Sequence, residues 1–133
     1  MIPPRNSPGL TVSSQDFVKC NLFQLEMSSV CAHDGEGKID FCRIAKATEM
    51  SGGCNFVDFT SMPPGSSIGM HTHQDSEEEF YLILKGHGTM TRDSEEFEVG
   101  PGDLIRNRPG GTHSLKNKSD TELQLFVFEV KVP

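Results

Sequence analysis

The sequence predicts an all-β chain that folds as a double-sheet jelly roll or a closed barrel. After Lys38, turn-forming residues recur at intervals of roughly eight to twelve residues, which is the spacing typical of short strands in a sandwich or barrel. No segment after Gly65 carries the ~3.6-residue period of an amphipathic helix. These two observations favour many short antiparallel strands over helices.

The elements follow in order along the chain. The first ten residues contain three Pro and one Gly and predict an irregular arm. Residues 13–27 fit two alternatives, a helical turn capped by Ser14 or a strand over Asn21–Leu25. Ser28–Lys38 is rich in Ser and Gly and predicts a loop. The strands predicted after this loop are Ile39–Ala45, Asn55–Ser61, Ser67–His73, Glu79–Lys85, Gly88–Arg92, Glu95–Val99, Asp103–Asn107, His113–Lys116 and Leu123–Val130.

The chain length sets the domain organisation. A chain of 133 residues fits one domain and leaves no room for a second of ordinary size. We expect residues 39–133 to form the barrel. We expect residues 1–38 to form an N-terminal arm with the first strand or strands.

Charge and composition exclude several classes of protein. Lys and Arg number 12 against 19 Asp and Glu, a net charge of −7, which argues against binding nucleic acid or anionic lipid. The apolar runs are far shorter than the ~20 residues that span a bilayer, and the first residues lack the apolar core of a secretory signal. We therefore expect a soluble, cytoplasmic protein with no membrane partner.

The four cysteines, Cys20, Cys31, Cys42 and Cys54, form no C-x-x-C pair. Their wide spacing argues against a zinc knuckle. A disulfide framework is unexpected in a reducing compartment, so we expect thiols that act as small apolar residues.

Histidine marks the candidate site. His71 and His73 are two residues apart on a predicted strand, so both imidazoles point to the same face. Glu77, Glu78 and Glu79 lead into the next strand, and His113 opens another. Three imidazoles and one carboxylate that converge inside a barrel would bind a first-row divalent metal.

The spacing of these residues resembles the two motifs of the cupin family. Gly65-x5-His71-x-His73-x5-Glu79-x6-Gly86 is similar to the first motif, G-x5-H-x-H-x3-4-E-x6-G. Gly102-x5-Arg108-Pro109-Gly110-x2-His113-x3-Asn117 is similar to the second, G-x5-P-x-G-x2-H-x3-N. The resemblance covers residues 65–130, about half of the chain. It implies a double-stranded β-helix, or jelly-roll barrel, with one metal held by His71, His73, Glu79 and His113.

The chain departs from the family pattern at two places. Five residues separate His73 from Glu79, one more than the motif has at this place. Glu78 would fit this spacing, but seven residues would then separate it from Gly86 instead of six. We favour Glu79, because an extra residue is accommodated in the loop. The other departure is Arg108, which stands where the family usually has Pro.

The resemblance implies a divalent transition metal (Fe, Mn, Ni, Zn or Cu) and a small-molecule ligand. Two functions fit it: a metalloenzyme of oxygenase, decarboxylase, isomerase or lyase type, which we favour, and a non-catalytic binding or sensing protein. It also implies a homodimer in which residues 1–38 take part in the contact, since small cupins often dimerise through an N-terminal arm. Tyr81 shares the inward parity of Glu79, and Arg106 flanks the glycine turn in the second motif, so both are candidates for contacts with a substrate. His33 and His87 lie in predicted loops and receive no role.

Overall fold

The computed structural model describes residues 19–133 and has two antiparallel sheets facing each other. The larger sheet has the order β1-β2-β3-β10-β5-β8, and the smaller has the order β4-β9-β6-β7. The strands are β1 (Ser28–Val30), β2 (Ile39–Lys46), β3 (Cys54–Met62), β4 (Ser67–Thr72), β5 (Glu77–Lys85), β6 (Gly88–Arg92), β7 (Glu95–Val99), β8 (Leu104–Asn107), β9 (Thr112–Lys116) and β10 (Leu123–Lys131). The predicted jelly-roll architecture is confirmed.

All nine predicted strands are present, with ends within two residues of the expected ones. Two predictions for the N-terminal part are wrong. The strand alternative over Asn21–Leu25 is a 3₁₀ turn at Leu22–Gln24, because the Asn21 side chain accepts a hydrogen bond from the Phe23 N–H at 2.9 Å. The predicted loop Ser28–Lys38 begins with β1, a three-residue edge strand too short to show an alternating pattern.

The main core lies between the two sheets. Alternate residues of each strand point inward, and the most buried side chains include Met62, Ile83, Met90, Leu115 and Leu125. At ~25 cal/mol per Å² of buried apolar area, this interior is the main source of stability. It also excludes water from the polar groups that lie among these side chains.

A second apolar cluster covers the outer face of the larger sheet. Cys42, Ile44 and Phe59 are buried there under the segment that carries Leu22 and Leu25. This part of the predicted arm therefore packs on the chain's own sheet. Residues 1–18 lie outside the described part, and the dimer contact predicted for residues 1–38 stays a prediction.

The described part of the chain bears on the expectations about membrane spans and cysteines. Within residues 19–133, no helix is long and apolar enough to cross a bilayer. The four cysteines are free, as expected, and burial raises the pKa of the Cys42 thiol to about 11.

The loop between β1 and β2 is docked on the start of β4. The Gly69 N–H donates to the Ala32 carbonyl at 3.0 Å, and the Ser67 N–H donates to the Glu36 carbonyl at 2.9 Å. A Cβ at Gly69 would collide with the His33 carbonyl oxygen. Only glycine allows the backbones to approach this closely.

We expect Gly69→Ala to lower the free energy of unfolding by about 1–3 kcal/mol, because the added methyl group overpacks this contact. Gly52→Ala is the matched control, since nothing lies within 4 Å of a Cβ at that position. Urea unfolding of both variants measures the difference. Equal stabilities would contradict the proposed close packing.

Candidate metal centre

Strand pairing brings the predicted ligands together. His71 on β4 lies directly opposite His113 on β9. His73 follows β4 and is held by a backbone hydrogen bond from its N–H to the Gly111 carbonyl at 3.0 Å. Glu79 reaches the same point from β5 in the other sheet. Three imidazoles from one sheet therefore face a carboxylate from the other.

The four side chains form one compact cluster. One nitrogen or oxygen atom from each of His71, His73, Glu79 and His113 lies within 4.8 Å of the others. The Glu79 Oε1 atom is 3.1 Å from the Nε2 atoms of both His73 and His113. Imidazole nitrogen and carboxylate oxygen are donors that Fe, Mn, Ni, Zn and Cu all accept.

Two buried atoms of the cluster have no hydrogen-bond partner among the described residues: His73 Nε2 and Glu79 Oε1. They are close to each other, but their alignment does not make a hydrogen bond. Buried polar atoms are nearly always satisfied. A cation between them would satisfy both, so the residues present fit a metal ion.

The outward ring nitrogens of two histidines are fixed by neighbours. His71 Nδ1 is 2.7 Å from the Gly69 carbonyl, and His73 Nδ1 is 3.1 Å from Glu129 Oε1. Such bonds set the tautomer and ring orientation, leaving Nε2 to face the cluster. The second carboxylate oxygen of Glu129 accepts a hydrogen bond from Asn55 at 2.9 Å.

The local electrostatics favour a cation. Burial alone would raise the pKa of Glu79, but the His113 and His73 imidazoles outweigh burial and lower this pKa to about 2. The nearby carboxylates of Glu129 and Glu79 raise the pKa of His73. Burial lowers the pKa of His71 to about 4, so this imidazole is neutral near pH 7.

The two candidates for contacts with a substrate differ in burial. Tyr81 is 2% exposed, its hydroxyl lies 3.3 Å from His113 Nε2, and burial raises its pKa well above 10. Arg106 is exposed and forms an ion pair with Glu78. The structure therefore brings Tyr81 to the cluster, whereas Arg106 and Glu78 pair with each other away from it.

The two departures from the motifs are absorbed in turns. The extra residue before Glu79 lies in the turn that begins at Gln74, whose carbonyl accepts from the Glu77 N–H. In the second motif, the Gly111 N–H donates to the Arg108 carbonyl at 3.0 Å, and Gly110 has φ +71°. Pro109 and Gly110 suit the two central positions of such a turn, so Arg108 does not displace His113.

Sequence reasoning missed several interior polar residues. Glu129, Asp58 and Asn107 are each 4% exposed or less and lie on inward positions of their strands. Asn107 is opposite Glu79, and neither atom of its amide has a partner in residues 19–133. A polar residue at an inward position of an apolar strand is the pattern that would have found them.

His33 was also missed, and no sequence pattern indicated it. Its ring is stacked on that of His71, with centroids 3.6 Å apart. It occupies this position because His33 and Asp34 take φ of 49° and 57° in the turn between β1 and β2. Asn, Asp and His are the non-glycine residues that most often adopt this conformation.

Asp58 supports a prediction about pH. Burial raises its pKa to about 6, although the Arg43 guanidinium opposes this shift. The folded chain then binds more protons than the unfolded chain between about pH 4 and 6, so this group's contribution to stability is lost as the pH rises.

The quantity to compare is the unfolding free energy of the unsubstituted chain minus that of Asp58→Asn, both in chelator-treated protein. We expect this difference to fall by about 1–3 kcal/mol from pH 4 to pH 7. Urea unfolding at several pH values measures it. Asp120→Asn, which removes an exposed carboxylate, controls for net charge. A difference that stays constant or rises with pH would contradict the assignment.

Two known proteins are similar to this chain in sequence. A protein of Thermotoga maritima named oxalate-binding protein is 29% identical over 92 residues, which cover 69% of this chain and 75% of the relative. An uncharacterized protein of Methanocaldococcus jannaschii is 42% identical over 65 residues, about half of each chain (49% and 51%).

Solved structures share the fold. The crystal structure of a predicted oxalate decarboxylase from Thermotoga maritima has a TM-score of 0.79 at 23% identity, covering 84% of this chain and 97% of that one. The cupin domain of Schizosaccharomyces pombe Cnp3 has a TM-score of 0.72 at 15% identity, over 86% and 74%. The family model described as Cupin domain matches residues 58–129, more than half of the chain. The chain belongs to the cupin family.

Proposed function

We propose that this chain is a metal-dependent cupin that acts on a small organic acid. The observation that carries the proposal is the cluster of three imidazoles and one carboxylate, whose donor atoms lie within 4.8 Å of one another. In this proposal, His71, His73, Glu79 and His113 hold one divalent transition metal ion. A bound ion of this kind supplies Lewis acidity and polarises a chelating ligand.

The ligand class is supported by the relative named oxalate-binding protein, which aligns over 69% of this chain. Four protein donors on a metal that accepts six leave two positions, which suits a bidentate acid. Tyr81 is the residue of this chain placed to donate a hydrogen bond to such a ligand, because its hydroxyl lies beside His113 Nε2. The proposed ligand site therefore includes Tyr81 and not Arg106.

Proton transfer is the second role we assign to the chain's own residues. Asp58 has a pKa raised by burial to about 6, and its carboxylate faces the cavity shared with Glu79 and Tyr81. A carboxyl group with a pKa near the working pH exchanges protons efficiently. Asp58 is therefore the candidate acid or base for an enzymatic reaction.

The second candidate function is binding without catalysis. It is favoured by the same relative, whose name states binding and not a reaction. The cupin fold does not decide between the two, because function resides in the site. Detection of a converted product separates them.

The metal site is tested with two neighbouring glutamates. Glu79→Gln removes the buried carboxylate, whereas Glu78→Gln removes the one that pairs with Arg106 at the surface. We expect calorimetric titration with Ni²⁺ to give one ion per chain, about tenfold or more weaker binding for Glu79→Gln, and unchanged binding for Glu78→Gln. Unchanged binding in Glu79→Gln, or equal losses in both, would rule out the assignment of Glu79.

Oxalate tests the ligand class. We expect oxalate to bind the metal-loaded protein and not the chelator-treated protein, which calorimetry measures. Formate and carbon dioxide in a parallel incubation with the Mn²⁺ form would favour an enzyme, and binding without product would favour the second candidate. If oxalate does not bind in the presence of metal, the proposed ligand class is wrong.

A further inference from the structure

A cavity of about 240 Å³ adjoins the candidate metal centre on the side of the β1–β2 loop. Glu79, Tyr81 and His33 form the end nearest the metal centre, and Glu79 is the one proposed metal ligand among the lining residues, so the cavity meets the centre at this carboxylate. Most of the remaining wall is apolar and comes from β1, β2, β3, β4 and β10. It includes Val30, Ala32, Ile39, Phe41, Ile68 and Val127.

The Arg43 guanidinium lies at the end of the cavity that is far from the metal centre. The Arg43 guanidinium makes two bonds to the Asp58 carboxylate, at 3.0 and 3.2 Å. It also lies over the rings of Phe56 and Phe41, at 4.4 and 5.5 Å from their centroids. Bidentate pairing and stacking together hold its remaining N–H groups in a fixed position.

The strand register gives the length of the cavity. Arg43 lies opposite Asp58, Asp58 opposite Val127, and Val127 opposite Tyr81. These residues form one row across four strands, which spans roughly 14 Å at ~4.8 Å per strand. All four line the cavity.

The cavity is larger than a dicarboxylate requires. An apolar cavity of about 150 Å³ holds benzene, which has as many non-hydrogen atoms as oxalate. The space here, about 240 Å³, therefore exceeds what oxalate would occupy. The excess is bordered mainly by apolar side chains, which favour a hydrocarbon group over water, and the polar part of its wall is formed by Asp58, Arg43 and Thr60.

Building on the proposed function, we propose that the ligand is a 2-oxo or 2-hydroxy acid with an apolar tail. Its carboxylate and adjacent oxygen chelate the metal beside Glu79 and Tyr81. Its branched alkyl or aryl tail occupies the cavity and points toward Arg43. Bare oxalate would fit the chelating end and leave the apolar part of the cavity unfilled.

The test holds the chelating group constant and varies the tail. Pyruvate, 4-methyl-2-oxopentanoate and phenylpyruvate share one head group, so the contribution of the metal cancels between them. Each buried methylene is worth about fourfold in affinity. On the Ni²⁺-loaded protein, we expect calorimetry to show both tailed acids binding at least about tenfold more tightly than pyruvate. Equal or weaker binding of the tailed acids would overturn the inference.

The second part of the test is a variant that fills the cavity. Ala32 is partly buried and lines the cavity, so Ala32→Phe would fill the space for the tail. We expect Ala32→Phe to lose the tail-dependent gain and to keep its affinity for Ni²⁺ and pyruvate. Ser29→Phe is the matched control, because Ser29 is exposed on β1 and is not among the lining residues.

The outcomes separate this inference from the proposed function. Failure to bind Ni²⁺ would reject the metal centre. Binding of Ni²⁺ and pyruvate without a gain from the tail, or an equal gain in Ala32→Phe, would reject the apolar tail and leave the metal-dependent function standing. Binding of Ni²⁺ with none of the acids would reject the inference and the ligand class together. The ligand series on the unsubstituted chain gives its answer even if Ala32→Phe does not fold.

Discussion

Burying the carboxylate of Glu79 between two sheets takes it out of water, and an ionised carboxylate survives there only with compensating groups around it. The chain surrounds it with three imidazoles from the opposite sheet. Glu129, also buried, lies behind His73 and adds a second carboxyl group. Such an interior costs stability unless a proton or a metal ion balances the charge. The placement of the histidines and their outer partners follows from this requirement.

Backbone geometry keeps the cluster in place. His71 and His113 are neighbours across an antiparallel ladder, and a one-residue slip would turn both to the other face. The turns before β5 and before β9 absorb the irregular spacing of the sequence outside the ladders. The docked loop between β1 and β2 closes one side of the site and brings His33 onto His71. The apolar cavity lies beneath this loop, so the loop also limits the size of any ligand.

The nine strands after Lys38 could be predicted because turn residues and alternating apolar residues are local features of the sequence. The four residues of the cluster could be predicted because their spacing matches a motif. β1 could not, since three residues with two exposed serines show no alternation. His33 could not either, because its position depends on two residues of positive φ and on a contact with Gly69 far along the chain. Glu129 and Asp58 lie between these cases: their inward parity was visible, but only the pairing of β3, β10 and β5 places them beside the cluster.

We propose that one metal ion is bound jointly by His71, His73, Glu79 and His113. X-ray absorption spectroscopy of the Ni²⁺-loaded protein tests it most directly, because multiple scattering from imidazole rings counts the histidines bound to the metal. We expect one nickel per chain, bound by three imidazoles and otherwise only by oxygen. A metal shell with fewer than three imidazoles, or one that contains sulfur from a cysteine, would contradict it.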